Sequence, residues 1–192
     1  MIESRILLLL AARLRSRGAS EEISVAFVQL GGDGEVFEGL MAAAVALDQV
    51  RVRGVESRHS LTGAGQAELA AHLLAESERV GRADLGTAYE AFLPLNRAFL
   101  AALAADATRL DLAALVAQLA PVLAALEAKL DRFAAYSTRF AAALREAEID
   151  TAWIASPSVD SVHTIWFELH EHLLATLGRD RTQETAQETT DE

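Results

Sequence analysis

The chain has 192 residues, a formal net charge of −11, 52% hydrophobic residues and no cysteine. That length can bury a real core, as one large domain or two small ones. The missing thiols exclude disulfides, thiolate catalysis and zinc–thiolate sites. The acidic balance argues against a broad phosphate-binding surface, which needs a basic footprint, although a local basic stripe can act within an acidic chain.

In chain order, residues 2–17 place Ile6, Leu7, Leu10 and Leu14 on one helical face, with arginines near the end and Gly18 as a stop. The apolar run Ile6–Leu10 is too short to cross a bilayer and no small-residue cleavage site follows it. No transmembrane helix and a cytoplasmic location are therefore expected. Ser20-Glu21-Glu22 reads as an N-cap with first-turn acids, opening a second helix with Ile23, Val25, Phe27 and Leu30. Its β-branched content leaves a strand open as the alternative. A third helix is predicted over Glu35–Gln49, opened by Asp33 or Gly34.

Val50, Val52 and Val55, interrupted by Arg51, Arg53 and Gly54, read as strand, turn and strand, the return strand being Glu56–Leu61. Thr62 stands as the N-cap of a helix over Ala64–Val80, broken by Gly81. Helical patterns follow over 83–105, 110–130 and 133–148, with Pro94 and Pro121 expected to kink the first two. Ser156-Pro157-Ser158 is a turn, and Val159–Leu177 is the last helix, closed by Gly178. The polar end, 179–192, is expected to be disordered.

Helix, helix, helix, hairpin, helix is the order of a winged helix-turn-helix. The run SLTGAGQAEL, Ser60–Leu69, resembles the S-L-T-x-x-G-x-x-x-L that follows the wing in MarR-type regulators. The resemblance implies a mainly α fold: a winged helix-turn-helix with a small two-stranded wing over 1–80, and a C-terminal helical dimerisation and effector region over 81–178. It further implies a homodimer whose terminal helices intertwine, a third helix entering the major groove of double-stranded DNA, and a small-molecule effector or protein partner. Against that, the third helix carries Asp33, Glu35, Glu38 and Asp48 and no Lys or Arg, with Gln49 alone suited to reading a base.

Two constellations carry chemistry. Arg51, Arg53, Arg58 and His59 on the wing suit phosphate or minor-groove contact; they equally suit a solvated hairpin edge that discourages strand pairing. The last helix collects Asp160, His163, Trp166, Glu168, His170, Glu171 and His172. Imidazole and carboxylate at such spacings can hold a divalent ion, but H-E-x-x-H is absent and no further ligand cluster is visible, so neither metal nor cofactor is expected. Tyr136, Trp153, His163, Trp166 and His170 are candidates to line an effector pocket, or to supply the few large residues an alanine-rich core needs. The glycines of Gly31–Glu35 lack the Lys and Ser/Thr of a phosphate loop, and no enzyme motif is found. Two functions remain: a homodimeric MarR-like transcriptional regulator with a degenerate reader, or a non-DNA-binding ligand-sensing or protein-interaction protein on the same scaffold.

Overall fold

The computed structural model describes residues 2–105 and 108–179. Helix accounts for 73% of it, and the remaining regular structure is one two-stranded antiparallel sheet, so the protein is mainly α. The chain divides into two compact units, one made by residues up to Arg79 with the chain from Leu174, the other by Val80–Leu173. The tail expected to be disordered falls, from residue 180, outside the described residues.

In the first unit, α1 (Ser4–Leu14) is buried all round, with Ile6 through Ala12 between 0% and 5% exposed. The sequence pattern suggested a single buried face. A helix apolar on every side must instead be enclosed, and Ile23, Ala26, Phe27, Phe37, Met41, Leu69 and Leu73 belong to the same core. The second element is the helix α2 (Ser20–Gln29), not a strand. Ser20 is its first residue and not its cap; Glu22 caps by reaching back to accept from the Ala19 N–H at 2.7 Å. Asp33 accepts from the Glu35 N–H at 2.9 Å and opens a 3-10 turn. α3 (Phe37–Ala46) follows and ends before Gln49, with Asp48 at positive φ.

Strands β1 (Val50–Arg53) and β2 (Arg58–Leu61) pair Val50 with Leu61 and Arg53 with Arg58. The return strand starts two residues later than Glu56 because 54–57 form the turn, with Gly54 and Ser57 at positive φ. A single bridge joins Gly18 to His59, whose N–H donates to the Gly18 carbonyl at 2.9 Å. The T-x-x-G spelling has a physical reason. The Thr62 hydroxyl meets the Asp48 carbonyl and accepts from the Gly65 N–H at 3.2 Å, starting α4 (Gly63–Val80). A Cβ on Gly65 would stand 2.1 Å from the Gln49 carbonyl oxygen, so a glycine lets the helix lie against the chain entering β1.

In the second unit, α5 (Arg82–Ala104) and α6 (Arg109–Glu127) pack together. Each helix continues through its proline, Pro94 in α5 and Pro121 in α6. Thr108 and Asp111 form a reciprocal cap at the start of α6, and the Thr108 hydroxyl and N–H hold the Asp111 carboxyl below the usual carboxylate range. Among the described residues, α6 is the one helix long and apolar enough by length and composition to cross a membrane, which departs from the expectation of none. Leucines at spacings of three and four make it read as a packing stripe, and its outer alanines raise it to that apolarity. A 3-10 turn over Asp131–Phe133 leads into α7 (Ala135–Glu146), then α8 (Ala152–Ala155), then α9 (Val162–Leu177).

Candidate functional site

The residues expected to face DNA lie on α3 and the hairpin. Outward from α3 stand Glu38, Gly39, Ala42, Ala43, Val45 and Ala46, with Glu35 and Val36 before them and Leu47 and Asp48 after. None of these side chains donates a hydrogen bond at neutral pH. Gln49 points inward, 5% exposed, and its amide donates to Glu68, which also pairs with Arg5.

The hairpin cations are placed unequally. The Arg58 guanidinium is tied back to Glu22 at 3.2 Å and to Glu56 at 3.1 Å, and Arg51 stands 3.6 Å from Asp48. His59 leaves the set of surface contacts altogether. It lies opposite Val52 on the hairpin, bridges to Gly18 and is buried, because strand alternation turns it inward. Arg53 is exposed and has no ion pair among the described residues.

The second candidate lies in the second unit, around α9. Arg139 of α7 grips two carboxylates, with bonds of 2.6 and 2.9 Å to Glu168 and of 2.7 and 2.9 Å to Asp160. Arg132 Nε donates to His172 Nε2 at 2.9 Å, and His172 Nδ1 lies 3.1 Å from the Tyr136 hydroxyl. Arginine only donates, so Nε2 must be the acceptor and the ring proton of a neutral His172 sits on Nδ1. Nδ1–H then donates to Tyr136, whose O–H donates to Glu168 Oε1 at 3.4 Å. Glu168 and His172, four residues apart on α9, are thus joined through a residue of α7. Phe133 stacks on His172 with centroids 4.0 Å apart.

Arg132, Tyr136, Arg139, Glu168 and His172 are all buried, and Asp160 is half-buried. Arg139 faces both carboxylates, Asp160 and Glu168, while Arg132 meets the His172 ring. Burial pushes the His172 imidazole well below its ordinary range, and the charges of Arg132 and Arg139 push it the same way. Burial also works against the Arg139 charge, but the bonds to Asp160 and Glu168 outweigh it and raise the pKa. These arginines occupy the place a metal ion would need beside the imidazole and carboxylate of α9, and no group of three or more metal-ligand side chains occurs among the described residues.

No family model, curated protein or solved structure matches this chain.

The candidate pocket residues divide. Trp166 stacks on Phe99 at 4.1 Å, meets Phe92 and Phe140, and donates from its indole N–H to Asn96 at 3.0 Å. His170 lies against Phe92 and Tyr89, and His163 against Phe99. Tyr136 belongs with Phe133 and His172, and Trp153 joins neither aromatic group. Tyr136, Trp166 and His170 therefore pack as core. Sequence reading misses Arg132 and Arg139. Their signal is two cations seven residues apart beside the aromatic series Phe133, Tyr136 and Phe140.

Proposed function

We propose that the first unit is a winged helix, and that the chain is a non-enzymatic regulator-type protein whose α3 face engages another protein and does not read bases. The element order, the Gly18–His59 bridge in the place of a third sheet strand, and the cap and close approach at Thr62 and Gly65 support the winged-helix reading. The outward face of α3 carries the functional part: it is apolar and acidic, with Val36, Val45 and Leu47 exposed and no donor for phosphate or base. Two exposed valines of α2, Val25 and Val28, add to the apolar surface of this unit, and a Cβ on Gly34 would stand 3.4 Å from Val28. Exposed apolar surface rimmed by polar residues marks protein contact sites.

Exposed Arg53 favours a second reading, contact of the wing with the DNA backbone. The two readings part in a binding selection from random duplexes, with affinity followed by fluorescence anisotropy over a salt series. The expected result is no enriched sequence, and affinity no tighter than the roughly 10⁻⁶ M of non-specific binding. Nanomolar binding to one selected duplex would overturn the proposal. A salt slope that fell by about 0.9 on Arg53→Ala would then locate one phosphate contact on the wing.

A further inference from the structure

α6 has two apolar sides. Leu112, Leu119, Val122, Leu123 and Leu126 are buried in its own unit. On the other side Leu110, Ala114, Ala117, Pro121, Ala124 and Ala128 are all exposed, spaced alternately by four and three residues. That alternation is the seam of a helix that packs along another helix. From Leu112 to Leu126 there is no charged residue, and most of the stretch is exposed or half-buried. Neighbouring α5 shows what a solvated face looks like here. Its exposed positions at the same spacing include Thr87, Glu90 and Arg97.

We propose that this face of α6 is covered by α6 of a second copy of this chain, packed antiparallel. Charge limits the register that a second copy can take. Each copy carries −11, so copies repel at a distance and a self-contact needs a surface that brings no acid against acid. The seam reads the same from either end, with its midpoint at Leu119. An antiparallel copy sets Ala117 against the second copy's Pro121 and Ala114 against its Ala124.

The flanking positions fit the same register. Asp111 falls opposite Ala125, and Glu127 opposite Ala113. Gln118, the one polar residue of the uncharged stretch, meets the second copy's Gln118 beside the two-fold axis. Its amide now donates only to its own Ala114 carbonyl, at 3.3 Å. Antiparallel packing also sets the helix dipoles in opposition, which is the favourable sense. Alanine along the seam lets the axes approach to roughly 8 Å, the short end of helix packing distances.

The terminal helices implied by the resemblance offer less, since α1 is already enclosed. A 19-residue helix is about 28 Å long. One such face covers less than the roughly 800 Å² per partner of a standard interface, so the dimer is a reversible one.

Sedimentation equilibrium of the full chain from about 1 to 100 µM is expected to show monomer passing to dimer. Ala117→Glu and Ala124→Glu keep good helix formers at exposed positions and are expected to weaken the dimer at least tenfold, with unchanged circular dichroism. Ala91→Glu, at an exposed alanine of α5, is expected to leave it unchanged. The chain has no cysteine, so Gln118→Cys and Asp111→Cys each carry a single spin label. Antiparallel packing puts the labels at 118 nearly adjacent and those at 111 roughly 24 Å apart along the axis. Three results would overturn the proposal. They are a monomer throughout, including one that instead sediments with phosphatidylcholine vesicles; a dimer indifferent to Ala117→Glu; and equal label distances at 111 and 118.

Discussion

The β1–β2 hairpin and the α7–α9 cluster are built from the same side chains and have opposite physics. On the hairpin, Arg58 meets Glu22 and Glu56, carboxylates that are 55% and 76% exposed. In the cluster, Arg139 and Glu168 meet at 9% and 3% exposure. Water competes for the first set, so each pair contributes little beyond the entropy lost in holding it. In the second set Arg139 and Glu168 have both left water, with Asp160 half-buried beside them, and losing either buried partner strands the other charge. Counting charges in the sequence cannot separate the two. What differs is whether the cation replaces solvent or merely shares it.

The largest expected effect that tests this contrast is Arg139→Met. Removing the guanidinium leaves Glu168 buried without its counter-charge, at an expected cost of about 3–5 kcal/mol in urea unfolding of the full chain. A loss below about 1 kcal/mol would place the cluster with the hairpin, as a solvated pair.

The pH dependence sharpens the contrast next. His172 is held neutral in the folded state, below its unfolded value near 6.5. Above that value neither state binds the proton and His172 contributes no slope. Below it the unfolded chain takes up a proton that the fold excludes, so stability falls as the pH falls, by up to about 1.4 kcal/mol per unit. The readout is the difference in unfolding free energy between wild type and His172→Gln across pH 5 to 7. A constant difference would mean that the imidazole titrates alike folded and unfolded.

The smallest effect belongs to the hairpin. Arg58→Ala is expected to cost roughly 0.5 kcal/mol or less, and to lose even that in high salt. A cost above 2 kcal/mol would show that the hairpin is held to α2 by this arginine.

Two helices show what was legible before the fold was known. α1 and α6 are both runs of leucine and alanine, yet α1 is enclosed and α6 leaves a side open. Periodicity located both, because the spacing of leucines reports a local repeat. It gave α1 one buried face where there are several. How many sides are covered depends on elements far along the chain: Phe27, Met41 and Leu73 for α1.

The sequence by itself determined what neighbours along the chain decide: the mainly helical composition, the hairpin, the Thr62 cap with its glycine three residues on, and an α3 without donors. Each rests on bonds or spacings within a few residues, which the chain carries wherever it folds. The tertiary structure alone decided that His59 and Gln49 turn inward and that Tyr136, Trp166 and His170 fill core. It alone set Arg132 beside His172, 40 residues on, and Arg139 beside Glu168, 29 residues on. Those partners meet only because α7 and α9 are brought together, and burying a charge demands a partner without stating in sequence which residue supplies it.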